Sequence, residues 1–63
     1  MIKVGFKYKT KFDGGDVYEV IEIDHNICRV RNNNHPNEED RFKWVNISGL
    51  EHQIREHKYS KVS

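Results

Sequence analysis

The residues best able to do chemistry in this sequence are four histidines and a single cysteine, Cys28. Imidazole and thiolate groups bind transition metals when three or four of them converge. The spacings match no zinc pattern, because His52 and His57 are five residues apart, which is about 140° around a helix. No second cysteine can complete a site. We therefore expect no metal site and interpret the histidines as surface residues: His25, His35, His52 and His57.

The other groups that could take part in catalysis lack a suitable setting. Cys28 lies within an apolar run, where we expect a buried and inert thiol. The carboxylates at Glu38, Glu39 and Asp40 have polar neighbours, and no apolar environment is present to raise a pKa. Gly14-Gly15 lacks the lysine and the following helix of a phosphate-binding loop. The sequence thus predicts a protein that is not an enzyme and that uses no cofactor or small-molecule substrate.

Basic residues indicate one possible binding function. Lysines alternate with apolar residues near the N-terminus, and Arg29 and Arg31 are expected to share a hairpin face with Tyr18. A basic surface beside an aromatic ring is typical of single-stranded nucleic-acid binding. Against this hypothesis stand two glutamates on the same hairpin and a net charge of only +1. The alternating lysines are Lys3, Lys7, Lys9 and Lys11.

Aromatic residues favour a protein partner. Seven rings are more than the core of a 63-residue chain easily hides, and aromatic and arginine side chains commonly anchor protein interfaces. We expect Phe6, Tyr8 and one of Phe42 or Trp44 to be core residues. We therefore prefer a protein partner, which includes a second copy of this chain, and keep DNA or RNA as the alternative. The predicted partner-binding residues are Lys7, Lys9, Lys11, Tyr18, Arg29, Arg31 and Trp44.

Length and composition predict a single domain spanning residues 1–63, with residues 60–63 frayed. The N-terminus is rich in lysine and has no unbroken apolar run, so we expect neither a secretory signal nor a membrane span. With one cysteine, these features predict a cytoplasmic protein, in which the Asn46-Ile47-Ser48 glycosylation sequon is accidental. Compact, highly charged chains of this kind are common among phage-encoded proteins.

Two sequence patterns predict the first half of the fold. Alternation from Ile2 to Phe12 predicts a strand with apolar side chains inward and lysines in solvent, with Gly5 at a bulge or bend. A turn at Asp13–Asp16 then leads into a hairpin over Val17–Asn32 that turns at His25-Asn26. The hairpin register predicts four opposed pairs: Ile23 with Cys28, Glu22 with Arg29, Ile21 with Val30, and Val20 with Arg31. The predicted core face is Ile21, Ile23, Cys28 and Val30.

The second half contains a loop, a strand and a short helix. Asn32–Asp40 has no apolar side chain and is predicted to be irregular, while Arg41–Ile47 returns to a strand pattern. Ser48 and Glu51 fit a capping box, which predicts a helix over Gly49–Lys58. The alternative is a 3₁₀ turn at Ser48–Glu51 followed by a fifth strand over Gln53–Tyr59.

The order of these elements resembles that of the small SH3-like β-barrels. A basic and aromatic first strand is followed by a Gly-Gly turn, a long bent hairpin, a strand ending Trp44-Val45, and the segment Ile47–Glu51. The resemblance implies a mainly β fold, a barrel of four to five antiparallel strands with a short C-terminal helix or helical turn. It also implies a docking module for proteins or nucleic acids. The acidic loop and aromatic groove of SH3 domains that bind proline-rich peptides have no match in this sequence. The resulting prediction is a docking module that modulates or inhibits a protein partner.

Overall fold

A computed structural model describes residues 2–11 and 15–62. Within these ranges the chain forms five strands, one α-helix and one 3₁₀ turn. The mainly β fold class and the short C-terminal helix that we predicted are confirmed. The elements in chain order are β1 (Lys7–Thr10), β2 (Val17–Asp24), β3 (Ile27–Asn32), the 3₁₀ turn (Glu38–Arg41), β4 (Phe42–Asn46), α1 (Ile47–Arg55) and β5 (Tyr59–Val62).

The strands form one antiparallel sheet in the order β4-β3-β2-β1-β5, curled into a half-barrel. The first four strands are neighbours in sequence, and the fifth returns to pair with the first. Helix α1 connects the two edge strands, and its Leu50 is buried in the core. One face of the sheet therefore lies against the helix, and we call the opposite side the outer face.

The central hairpin is the element that the sequence predicts best. Its turn lies at His25-Asn26, where His25 has a positive φ of 56° and its ring Nδ1 lies 2.7 Å from the Asp24 carboxylate. The predicted pairs of Ile23 with Cys28 and of Glu22 with Arg29 are confirmed.

The two predicted pairs farther from the turn are wrong, because β2 contains a bulge. Val20, and not Ile21, lies opposite Val30, and the register shifts between Val20 and Glu22. Ile21 is therefore an extra residue on β2, and side chains before it point to the opposite face from the one we predicted. Arg31 consequently pairs with Glu19 and not with Val20.

The bulge also changes the membership of the core. Val20 is fully buried, whereas Ile23 is 37% exposed and neither it nor Ile21 is a core residue. Cys28, Val30 and Tyr8 are buried, as predicted. The complete set of buried apolar residues is Ile2, Tyr8, Val20, Cys28, Val30 and Leu50, with Phe6, Tyr18, Val45, Ile47, Ile54 and Tyr59 packed against them.

The predicted first strand is shorter than expected. Lys7–Thr10 is a strand, but the chain turns at Val4-Gly5, where Gly5 has a φ of +93° and the Phe6 N–H donates to the Lys3 carbonyl. This bend matches the role predicted for Gly5 and leaves Val4 exposed. The predicted strand end and much of the predicted Asp13–Asp16 turn lie outside the described residues. Gly15, at the described end of that turn, has a φ of +79°.

The side chains of β4 lie on the opposite faces of the sheet from those we predicted. Cys28 pairs with Val45, so Val45 packs against the core, while Phe42 and Trp44 point to the outer face and are exposed. The prediction that one of these two rings closes the core is wrong. The loop before β4 is irregular from residue 33 to 37 and ends in the 3₁₀ turn, whose N-cap is Asn37.

The helix begins and ends earlier than predicted. Asn46, and not Ser48, is its N-cap, and the Asn46 side chain accepts hydrogen bonds from the N–H groups of Ser48 and Gly49. After Arg55, the N–H groups of His57 and Lys58 donate to carbonyls of the last helical turn, and His57 has a positive φ of 61°. These bonds form a Schellman motif, which ends the helix and reverses the chain.

The reversal leads into β5, which contradicts two predictions for the C-terminus. Residues 60–62, which we predicted to be frayed, lie in a strand paired with β1. The alternative strand at Gln53–Tyr59 is also wrong, because most of that segment belongs to the helix or to its C-terminal turn. Ser63 lies outside the described residues.

We predict that Leu50→Ala lowers the free energy of unfolding by about 2–5 kcal/mol, because it leaves a cavity where α1 meets the core. Urea denaturation measures this loss. Ile23→Ala removes a similar volume of apolar side chain from an exposed site and serves as the control, with an expected loss below about 1 kcal/mol. Equal losses for the two variants would contradict this packing of the helix.

We also predict that Asn46→Ala lowers the free energy of unfolding by about 1 kcal/mol, because two backbone N–H groups lose their acceptor. Ser48→Ala is the control and should cost less, since it leaves both of those bonds intact. Thermal denaturation of the two variants measures the difference. A larger loss for Ser48→Ala would favour the cap at Ser48 that the sequence suggested.

Candidate functional site

The outer face of the sheet brings together most of the residues that the sequence marked for partner binding. On β3, Arg29 and Arg31 alternate with the buried Cys28 and Val30, so both arginines lie on the outer face. The strand pairings place charged or aromatic residues of the three neighbouring strands on the same face. We call this set the outer surface: Lys7, Lys9, Glu19, Glu22, Arg29, Arg31, Phe42 and Trp44.

Two aromatic rings and two arginines form the edge of the outer surface. Trp44 pairs directly with Arg29, and Phe42 pairs with Arg31. The Arg29 guanidinium carbon lies 4.5 Å from the centre of the Phe42 ring, within the range of a cation–π interaction. Phe42 is 36% exposed and Trp44 is 48% exposed. This corner therefore presents aromatic surface to solvent next to groups that donate hydrogen bonds to carboxylates.

Cations and carboxylates alternate across the rest of the outer surface. Glu19 pairs with Lys7 on one side and with Arg31 on the other, and its Oε1 lies 3.7 Å from Nη2 of Arg31. Glu22 pairs with Arg29. Glu19 thus separates Lys7 of β1 from Arg31 of β3, and the cations of the two strands do not form a continuous basic row.

Arg31 retains an unused donor in this arrangement. Its Nε is buried and has no hydrogen-bond partner, although the side chain as a whole is 42% exposed. The interaction with Glu19 involves only a terminal nitrogen. A further acceptor can therefore reach the exposed terminal nitrogens of the guanidinium group, but not the buried Nε.

Tyr18 does not belong to the outer surface, and the prediction that it shares a face with Arg29 and Arg31 is wrong. The bulge at Ile21 turns Tyr18 to the helix side, where its ring stacks on Tyr8 at 5.4 Å. Tyr8 in turn stacks on Tyr59 at 5.4 Å. The Lys43 ammonium group lies 4.8 Å from the centre of the Tyr18 ring. Tyr18 is thus part of a ladder of three tyrosines on the helix side of the sheet.

The three predicted lysines differ in their placement. Lys9 pairs with Val17 and Lys7 with Glu19, so both point outward from β1. Lys11 is exposed beyond the end of that strand, next to residues that are not described. Glu19, Glu22 and Phe42 are the members of the outer surface that the sequence did not assign to a site. Glu19 and Tyr18 are adjacent on β2, so their side chains lie on opposite faces. Once the bulge is known to turn Tyr18 to the helix side, Glu19 can be assigned to the outer face.

Three of the four histidines have local partners, and the partner of His25 is Asp24. His35 accepts a hydrogen bond from the Asn37 N–H, and His52 Nε2 lies 4.0 Å from a carboxylate oxygen of Glu56. Within residues 2–11 and 15–62, no three His, Cys, Asp or Glu side chains converge as metal ligands would. No helix in this part of the chain has the length and apolar character needed to cross a membrane.

The buried core contains two titratable groups that favour their neutral forms. Burial raises the pKa of the Cys28 thiol above its ordinary value of 9.0. Burial is also the main cause that raises the pKa of Tyr8 above its ordinary value of 10.0, and the nearby Tyr59, Cys28 and Tyr18 add to this effect. Cys28 is therefore a protonated thiol at neutral pH, in keeping with the inert role predicted for it.

Comparison with protein-family models, curated protein sequences and solved structures gave no significant match. The function has to be argued from the geometry and chemistry of the chain itself.

We predict that the free energy of unfolding decreases as the pH rises above about 9. The folded state holds the Cys28 and Tyr8 protons more tightly than the unfolded state does, so deprotonation at alkaline pH favours unfolding. Urea denaturation at a series of pH values from neutral to alkaline measures this dependence. In Cys28→Ala, the decrease should begin nearer to pH 10, where Tyr8 would ionise in the unfolded chain. A free energy of unfolding that stays constant into this alkaline range would contradict the prediction.

Proposed function

We propose that this chain is a non-enzymatic docking module of the SH3-like barrel type, which binds a protein partner in the cytoplasm and modulates or inhibits it. The single observation that carries the proposal is the pair of exposed rings, Phe42 and Trp44, beside Arg29 and Arg31. Tryptophan and arginine are enriched among the residues that dominate the energy of protein interfaces. The outer surface is the part of the described structure that combines both residue types.

The charge of the outer surface suggests what kind of partner fits. Its four cations exceed its two carboxylates, and the partly exposed guanidinium group of Arg31 lies next to the aromatic edge. A partner segment with an apolar side chain for the rings and carboxylates for the arginines would match this pattern. The partner-binding residues that we propose are Arg29, Arg31, Phe42 and Trp44, with Lys7 and Lys9 at the rim.

Strand β4 offers a second means of attachment. It forms one edge of the sheet, so its outward backbone groups have no neighbouring strand within the described sheet. An extended partner segment that pairs with β4 would place alternate side chains beside Phe42 and Trp44. The backbone would then supply affinity, and the outer surface would supply specificity.

The alternative of DNA or RNA binding fits the geometry less well. The nucleic-acid hypothesis used Tyr18 as a stacking platform, but that ring lies on the helix side against Tyr8. Glu19 and Glu22 interrupt the cations on the outer surface, which weakens the attraction for a phosphate backbone. Trp44 beside Arg29 could still stack on a base, so the test includes oligonucleotides.

The test is a selection from a library of random peptides against the wild-type chain, after which the binding of each enriched peptide to the wild-type chain and to Trp44→Ala is compared. We expect enriched peptides to contain carboxylates next to an apolar residue. Trp44→Ala should weaken their binding about tenfold or more, as measured by fluorescence anisotropy. Arg29→Gln and Arg31→Gln should also weaken binding. Val4→Ser changes an exposed apolar residue outside the outer surface and is the matched control, with unchanged affinity.

Two outcomes would overturn the proposal. The first is enrichment of peptides that bind Trp44→Ala as well as they bind the wild-type chain. The second is binding of mixed DNA or RNA oligomers that weakens with added salt and is lost in Arg31→Glu, without any selected peptide. Sedimentation across a range of concentrations distinguishes self-association from binding to a different protein. A dimer that is lost in Trp44→Ala would identify a second copy of the chain as the protein partner.

A further inference from the structure

A cavity of about 630 Å³ lies at the β5 edge of the sheet, whereas Trp44 belongs to the other edge strand, β4. Its walls come from the N-terminal segment at residues 2–6, from α1 and from β5. The turn at Val4-Gly5 separates the N-terminal segment from β1 and so opens this space. The volume is within the range that holds a small organic ligand.

The walls of the cavity are largely apolar. Ile2 is buried at its base, Phe6 and Ile54 are partly buried against the core, and Val4 is 61% exposed at its mouth. Val62 of β5 contributes a further aliphatic side chain. An apolar chain lying in this cavity would lose contact with water and gain contact with these residues, which is favourable.

The polar residues that line the same cavity are mainly basic. Lys3, Arg55 and Lys61 contribute three cations, against the single carboxylate of Glu51. Within the described residues, none of these four side chains forms a salt bridge. The cavity thus combines an apolar interior with three cations that outnumber its one carboxylate, and this combination favours an anion that carries an apolar body.

We propose that this cavity binds a small amphipathic carboxylate, with its aliphatic chain against Phe6 and Ile54 and its carboxylate among Lys3, Arg55 and Lys61. The chemical class is that of a single-chain aliphatic acid. None of the residues that line this cavity belongs to the outer surface, so ligand binding here and the proposed docking function can be tested separately.

The test compares three probes by NMR titration of the ¹⁵N-labelled full chain: octanoate, 1-octanol and acetate. Octanoate has both the apolar chain and the charge, whereas each of the others has only one of them. We expect octanoate to shift the amide resonances of Phe6, Ile54 and Val62 in a saturable manner. Octanol should bind more weakly at the same residues, and acetate should cause no saturable shift there.

Variants then assign the contribution of the charges. Lys3→Gln, Arg55→Gln and Lys61→Gln should each weaken octanoate binding about two- to fivefold, as expected for ion pairs near the surface. Octanol binding should be unchanged in each of them. Lys58→Gln removes an exposed cation that does not line the cavity and is the matched control. Because the three cavity cations form no salt bridge in the described structure, their loss should leave the fold intact, which circular dichroism checks.

Any of four results would overturn the proposal. Octanoate could cause no saturable shift at the cavity residues, or it could shift the resonances of Phe42 and Trp44 instead. Octanol could bind as tightly as octanoate, which would mean that the cations contribute nothing. Loss of octanoate binding in Lys58→Gln to the same degree as in Arg55→Gln would show only a general effect of net charge.

Discussion

The extra residue at Ile21 in β2 is the constraint on which the rest of the structure depends. Side chains alternate between the two faces of a strand, so one inserted residue exchanges the faces for every residue before it. The bulge turns Tyr18 and Val20 to the helix side and Glu19 to the outer face. Without it, Tyr18 would lie beside the arginines, and Val20 would leave the position that it fills in the core.

The same bulge sets the electrostatics of the outer face. Glu19 lies between Lys7 and Arg31 only because β2 is shifted by one residue relative to β3. Basic side chains of β1 and β3 are thereby kept apart, which reduces their mutual repulsion and stabilises the sheet. The position of Glu19 also interrupts the basic side chains, which weakens the attraction for a phosphate backbone. The bulge therefore affects whether the outer surface is better suited to a protein partner, as we propose, or to a nucleic acid.

The sequence predicts the hairpin near its turn but not beyond the bulge, and the reason is physical. Ile23 and Cys28 are opposed because the His25-Asn26 turn fixes the register nearby. Extending that register assumes uniform alternation, which the adjacent apolar residues Val20 and Ile21 already violate. Two neighbouring apolar residues in a half-exposed strand are the signal that would have indicated a bulge.

Other errors arise from information that is not local. The face on which Trp44 lies depends on the pairing of Val45 with Cys28, and the pattern of β4 alone fits either orientation. The helix ends at His57, a non-glycine residue in a left-handed conformation, so the usual glycine signal is missing. The N-terminal cavity depends on the contact between three separate segments, and no single stretch of sequence describes it.

The energetics of so small a domain argue that the exposed rings have a function. A chain of this length has a total stability of only about 3–9 kcal/mol, and burial of one large apolar side chain contributes about 1.5–3 kcal/mol. Because Phe42 is 36% exposed and Trp44 is 48% exposed, the two rings together leave unburied roughly the surface of one such side chain, which is a sizeable fraction of that total. Single exposed apolar residues are common on protein surfaces. Two large rings on one face of an edge strand, each paired with an arginine, are instead a pattern that fits the docking interface we propose.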